Sequence, residues 1–130
     1  MNIPENCKYS NDHEYVRVDG NAGIIGITDY AQSQLGDIIF FDCTKEVGSE
    51  VKQGEVIGSI EAVKTVAELF SPVSGKLIEV NAEVNNAPAL VNEDPYGRGW
   101  LVKIEIADPS ELNTLMDAAS YKNYIESLSH

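Results

Sequence analysis

A mostly β fold made of two related halves is the expectation from this 130-residue sequence, and three observations carry it. Apolar runs are short and alternate with turn residues, as the strands of a compact β domain require. A weak internal repeat is present. Glu50-Val51-Lys52-Gln53-Gly54-Glu55-Val56-Ile57 resembles Glu83-Val84-Asn85-Asn86-Ala87-Pro88-Ala89-Leu90, and Gly36-Asp37-Ile38-Ile39 echoes Gly75-Lys76-Leu77-Ile78. Helix spacing is confined to a stretch near Thr28 and to the C-terminal tail. Two similar halves packed on each other would give each sheet a partner for its apolar side.

The elements follow in order. Tyr15 to Val18 alternates, Asp19-Gly20-Asn21 turns the chain, and Ala22 to Ile27 returns, which predicts a hairpin. Thr28 to Gly36 predicts a short helix, with Thr28 able to cap its start and Gly36 placed to end it. The continuous apolar run Ile38-Ile39-Phe40-Phe41-Asp42 predicts a buried strand. Further strands are expected at Val56 to Ile60, Val66 to Phe70, Lys76 to Val80 and Trp100 to Ile106. Asp108-Pro109-Ser110-Glu111 is a helix start signal. Beyond it Leu112, Leu115, Met116 and Ala119 fall at helix spacing, as do Tyr121, Tyr124, Ile125 and Leu128 after a break near Ser120. Packing against the β core explains this stripe better than a partner-binding helix. One domain spanning residues 1–130 is expected, its core at about 9–107 and its helical tail at about 109–128.

Composition excludes several classes of function. Nine basic residues against 21 acidic ones give a formal charge of −12, which repels phosphate backbones and argues against nucleic acid. No segment approaches the roughly 20 apolar residues of a membrane span. The N-terminus lacks an apolar signal core and an Arg-rich amphipathic pattern, so the expected location is cytoplasmic. Cys7 and Cys43 sit in unrelated contexts and are expected to be free thiols. The only histidines are His13 and His130. Without ligand spacing they assign no metal, and they leave the serines without a convincing base. Gly20, Gly23 and Gly26 have turn and strand spacing, not that of a phosphate loop. A self-sufficient catalyst is not expected.

Lys64 stands out instead. It lies between two apolar, strand-like segments, in Ile60-Glu61-Ala62-Val63-Lys64-Thr65-Val66-Ala67-Glu68, which places it at or beside a hairpin tip. Holding a lysine still costs up to roughly 2 kcal/mol of side-chain entropy, so a tip lysine without a partner stays mobile. A mobile amine on a rigid support suits enzymatic acylation. The chain has seven lysines, most of them ordinary surface charges, so position alone does not single this one out.

The surrounding motifs do. Glu61-Ala62-Val63-Lys64 with Leu69-Phe70-Ser71-Pro72-Val73-Ser74-Gly75 resembles the lipoyl attachment site of the glycine cleavage system H protein family. Tyr9-Ser10 with His13-Glu14-Tyr15-Val16, Gly26-Ile27-Thr28-Asp29-Tyr30-Ala31-Gln32 with Leu35-Gly36-Asp37-Ile38, and Val91-Asn92-Glu93-Asp94-Pro95-Tyr96-Gly97 with Gly99-Trp100-Leu101 are similar to its other blocks. The blocks run from about Tyr9 to Tyr121 in the family's order. Biotin carriers usually flank their lysine with methionine, where this chain has Val63 and Thr65. Lipoyl domains of 2-oxoacid dehydrogenases commonly have aspartate before it, where this chain has Val63. The chain departs from the family's commonest pattern at Tyr15, Phe70, Ala62 and the segment Asp42-Cys43-Thr44-Lys45-Glu46.

The resemblance implies a flattened barrel-sandwich hybrid with lipoate in amide linkage to Lys64, and a carrier that catalyses nothing itself. It implies as partners a pyridoxal phosphate glycine decarboxylase, an aminomethyltransferase, dihydrolipoyl dehydrogenase, and a lipoate ligase or octanoyltransferase. A second role compatible with the same lysine is a lipoate relay that donates its acyl group to other lipoyl proteins. A third is an unmodified β-module used only for binding. Glu61 and Gly75 are candidates for ligase recognition, although Gly75, like Pro72, is equally placed to serve the returning turn. Glu14, with His13 beside it, is the candidate for a cleft that shelters the loaded arm. The alternative for Glu14 is one more carboxylate on a solvated face. A monomer is expected.

Overall fold

The computed structural model describes residues 1–128, so His130 lies outside the described residues. Strands β1 (Lys8–Tyr9), β2 (Glu14–Asp19), β3 (Ala22–Ile27), β4 (Ile38–Cys43), β5 (Glu50–Val51), β6 (Val56–Ala62), β7 (Val66–Phe70), β8 (Gly75–Val80) and β9 (Val102–Ile106) form two sheets. One has the order β1-β2-β3-β9-β8-β5, the other β4-β6-β7. Every pairing is antiparallel. Helices α1 (Asp29–Leu35), α2 (Ala82–Asn86), α3 (Leu90–Glu93) and α4 (Ala118–Ser127), with a 3-10 turn at Pro109–Thr114, complete the chain.

The apolar faces of the two sheets share one core. Ile25, Ile27, Leu77, Val102 and Ile104 come from the larger sheet, and Ile38, Phe41, Ile57, Ile60 and Leu69 from the smaller. Each such burial stabilises by about 1.5–3 kcal/mol before entropy is counted. A second cluster joins Cys7, Tyr9, Tyr15 and Tyr96 to Tyr121 and Ile125 of α4. Tyr9 and Tyr121 stack at 4.7 Å, so the tail packs on the β core as its periodicity implied. The mostly β, two-sheet architecture is the expected one, and both cysteines are free.

Local signals read well where the chain supplied its own punctuation. The β2–β3 hairpin turns through Gly20 at φ +64°, the first central position of a two-residue loop, where a positive φ favours glycine. Thr28 caps α1 by accepting from the Ala31 amide, and Gly36 ends it.

Other readings need correction. The run Ile38 to Asp42 is a half-buried strand, not a buried one. A bulge between Ile38 and Phe40 lets Ile38 and Phe41 face the core while Ile39 and Phe40 face solvent. The tail breaks at Leu115–Asp117 rather than near Ser120, because Met116 forms a β-bridge with Tyr9 that competes with helix. The longer repeat does not share secondary structure. Glu50–Ile57 enters β5 and β6, whereas Glu83–Leu90 runs through α2 into α3, with Asn81 capping α2 through the Glu83 amide. The shorter repeat does correspond: it starts β4 in one sheet and β8 in the other.

Candidate functional site

Strands β6 and β7 form a hairpin whose last strand pair is Glu61 with Val66. The Ala62 amide donates to the Thr65 carbonyl at 2.8 Å, and the Val63 amide donates to the Asp37 carbonyl at 3.1 Å. The second bond ties the tip to the loop between α1 and β4. Lys64 is exposed, and among the described residues its side chain has no hydrogen bond or ion pair. The backbone is pinned and the amine is free.

Glu14 is its opposite. It is 2% exposed, so the reading of a solvated carboxylate does not hold. Ser10 Oγ donates to Oε1 at 2.5 Å, and the Phe70 amide, at the end of β7, donates to Oε2 at 3.2 Å. The Glu14 amide in turn donates to Ser10 Oγ at 3.1 Å, which closes a tight turn. Burial pushes the Glu14 carboxyl up to about 7. The Ser10 and Phe70 bonds counter that rise and the nearby Asp12 charge adds to it. Such a group is poised to ionise when a cation approaches.

His13 makes the turn possible at a backbone φ of +67°, which a bulky residue seldom adopts. Its carbonyl accepts from the Thr28 amide at 3.0 Å, and its Nδ1 lies 2.9 Å from the Tyr121 hydroxyl, which also meets Thr28 Oγ1 at 2.7 Å. Tyr30, Tyr121 and Tyr124 surround the ring. Burial holds the imidazole below its ordinary pKa, against the opposing pull of Asp12.

Two clefts open on either side of this turn and share Asp12 and Glu14. The larger, about 380 Å³, is walled by Phe70, Pro72, Met116 and Tyr124. The other, about 270 Å³, lies between α1 and the hairpin. Ile27, Ala31, Leu35, Ile60 and Ala67 line it, and His13 and Glu14 stand at its edge. At ~3.3 Å per residue along a strand, Ala67 is roughly 10 Å from Lys64 and Phe70 roughly 20 Å. The second cleft is therefore the one beside the tip.

Glu61 is exposed next to the tip. Gly75 is buried at the start of β8, where a Cβ would come within 1.9 Å of the Glu105 carbonyl. Its lack of a side chain is required for packing. The structure thus brings His13 and Glu14 together at the base of the hairpin, with Lys64 and Glu61 at its other end. Sequence reading missed Ser10, Ala31 and Leu35 as parts of the site. No local signal marks Ala31 and Leu35, since a helix face looks the same whether it lines a cleft or a core, and Ser10 joins the site only through the turn that folds it back on Glu14.

Known proteins match this chain along almost its whole length. The family model for the glycine cleavage H-protein matches residues 7–128. A "Glycine cleavage system H protein" of Symbiobacterium thermophilum is 52% identical over 120 residues, covering 92% of this chain and 93% of that protein. One of Bacteroides fragilis is 51% identical over 122 residues, with 94% and 96% covered. A crystal structure of a glycine cleavage system H protein from Mycobacterium marinum superposes with a TM-score of 0.84 at 36% identity, covering 93% of this chain and 97% of that one. By sequence along almost its whole length and by fold, this chain belongs to the glycine cleavage H-protein family.

Proposed function

We propose that this chain is the lipoyl-bearing carrier of a glycine cleavage system and that Lys64 is the residue acylated. The observation that carries the assignment is the unpartnered amine of Lys64 on a hairpin tip whose backbone is held by Ala62, Thr65 and Asp37. Neutral in amide linkage, the side chain would leave no ion pair broken. The apolar cleft beside α1 fits an acyl chain: Ile27, Leu35, Ile60 and Ala67 can cover methylenes that water would otherwise surround. When attached, the lipoyl group supplies a dithiolane that accepts an aminomethyl group and is later reoxidised.

The chain's own residues bind and shelter. Glu14, held by Ser10 and Phe70, offers a carboxylate to a protonated amine entering the cleft, and a charge-assisted bond there contributes about 1.5–3 kcal/mol. His13 positions that carboxylate through the turn it shares with Ser10, since its own ring is engaged by Tyr121. Glu61, exposed beside the tip, is the group an acylating enzyme meets first, and Gly75 serves by keeping β8 close to β9. The partners are a pyridoxal phosphate glycine decarboxylase, an aminomethyltransferase, dihydrolipoyl dehydrogenase and a lipoate ligase or octanoyltransferase. They meet a monomeric carrier in the cytoplasm.

Intact mass with peptide mapping of protein from its native source tests the reading. A lipoyl increment on the Lys64 peptide is expected. An unmodified Lys64, or an increment on another lysine, would sink it.

A further inference from the structure

The larger of the two clefts has no part in the function above. It has a volume of about 380 Å³ and reaches Phe70, at the end of β7 away from Lys64. Its lining is of two kinds. Asp12, Glu14 and Gln53 bring oxygen acceptors, while Phe70, Met116 and Tyr124 bring aromatic and apolar surface. No lysine or arginine among the described residues lines it. The Gln53 side-chain amide donates to the Pro72 carbonyl and to Thr114 Oγ1, which leaves its carbonyl oxygen without a donor among the described residues. Glu14 borders both clefts. Each of its oxygens accepts one bond, from Ser10 or from Phe70, so when ionised each keeps room for another.

We propose that the larger cleft seats a guanidinium, the side chain of an arginine on the enzyme that unloads the arm, and that a cation there loosens the hold of Glu14 on the aminomethyl group in the smaller cleft. Oxygen acceptors beside aromatic rings suit a planar cation with several donors. They suit a compact ammonium less, because water holds it more tightly. The formal charge of −12 draws basic surfaces to this chain, and the cleft supplies no cation of its own.

The coupling follows from sharing. An ionised Glu14 has one negative charge, and a guanidinium that binds it from one side repels an ammonium on the other. Asp12 is also common to both clefts, but it is exposed and water screens it, so Glu14 carries the competition. The partner that gains is the aminomethyltransferase, which must draw the aminomethyl group out of its shelter. The decarboxylase would only disfavour the seating of its own product.

The inference rests on the carrier reading, and the experiment separates the two. Chain lipoylated at Lys64 and loaded with the aminomethyl group is kept in methylguanidinium chloride or in sodium chloride of equal concentration. Millimolar methylguanidinium is expected to shorten the half-life of the loaded carrier roughly fivefold relative to sodium. Glu14→Gln should abolish that sensitivity. Tyr124→Leu should require several times more methylguanidinium, and Tyr124→Phe, which keeps the ring, should restore the response. Gln53→Lys, at an exposed position, tethers a cation at the cleft and should shorten the half-life without methylguanidinium, whereas Gln53→Met should not. For the source of the guanidinium, Tyr124→Leu should lower kcat/KM for transfer by the aminomethyltransferase severalfold more than it lowers loading by the decarboxylase. Thermal midpoints identify a variant that fails to fold, and the wild-type response with the Gln53 pair then still decides.

Chain that is never lipoylated at Lys64 removes the carrier reading and this inference with it. A loaded carrier as long-lived in methylguanidinium as in sodium chloride, or a response unchanged by Tyr124→Leu, overturns the cleft alone. Loading and transfer slowed equally by Tyr124→Leu would overturn the assignment to the unloading enzyme.

Discussion

Lys64 and Glu14 stand at opposite ends of one hairpin and are treated in opposite ways. At the tip the backbone is bonded at Ala62 and Val63, while the Lys64 side chain meets only solvent. At the base the side chain itself is held: Glu14 is buried, with partners on both oxygens. A group that must travel gains from an anchored backbone and unspent side-chain entropy. A group that must wait for a cation gains from burial, which raises its affinity for positive charge by removing water. The same two-stranded element supports both because its far end is tied into the core by Leu69 and its near end projects beyond it.

The largest effect should come from the tip. Lys64→Arg keeps an exposed charge, so folding stability should change by no more than about 0.5 kcal/mol. Acylation by a ligase should nevertheless vanish. Wild-type levels of lipoylation in that variant, read by mass spectrometry, would break the contrast at its first member.

The second test is at the base. A carboxyl whose folded pKa is raised from 4.5 to about 7 keeps its proton in the folded chain after the unfolded chain has lost it. Stability attributable to Glu14 is therefore fully present below pH 4.5 and lost as pH rises toward 7, by up to roughly 3 kcal/mol. Glu14→Gln should remove that loss, so denaturation curves of variant and wild type should diverge between pH 4.5 and 7. Curves that stay parallel would mean that Glu14 is not the buried acid described. Independently, Glu14→Ala should leave Lys64 acylation intact yet shorten the half-life of the loaded carrier severalfold, and equal half-lives would remove Glu14 from the shelter.

A smaller effect is expected one residue away. Tyr121→Phe keeps the stacking on Tyr9 but deletes the hydroxyl shared by His13 and Thr28, at a cost of about 1–3 kcal/mol. His13 has the opposite pH sign to Glu14. Its folded pKa lies below 6.5, so the stability it contributes is present above that value and lost as pH falls through it. Burial sets that acid loss and Asp12 opposes it, so Tyr121→Phe should lower stability while leaving the Glu14 slope unchanged.

The smallest effect concerns encounter. With a charge of −12, raising salt from tens to hundreds of millimolar shortens the Debye length to below about 10 Å. Aminomethyl loading by the decarboxylase should slow by a few-fold. A flat rate across that range would mean that the exposed acidic surface, Glu61 included, does not steer partners.

How much of this was legible beforehand depends on where the information resides. The β2–β3 hairpin, the cap of α1 and the start of the 3-10 turn were readable because turn and cap chemistry is local: Gly20, Thr28 and Asp108 act on residues within a few positions. The tip position of Lys64 followed from two strand-like runs with a short gap. The outward turn of Phe40 was not readable, because the bulge in β4 depends on its pairing with β6. Nor was the break at Met116, which exists because Tyr9 offers a bridge partner more than a hundred residues away. The repeat misled for the same reason: Asn81, whose amide is spoken for by the Arg98 and Trp100 carbonyls, starts a helix where the matching segment makes a strand.

By itself the sequence determined the β class, the family and the hairpin-tip place of Lys64, since alternation, turn residues and the block around Lys64 are properties of neighbours along the chain. Tertiary structure alone decided that Glu14 is buried rather than solvated, that α1 and β7 enclose an apolar cleft, and that Gly75 must lack a side chain. Each of these depends on distant segments brought together: Phe70 bonded to Glu14, Leu35 and Ala67 lining one cleft, and the Glu105 carbonyl against Gly75. Burial and the pKa it shifts are set by what the folded chain puts around a residue, and no local pattern encodes that.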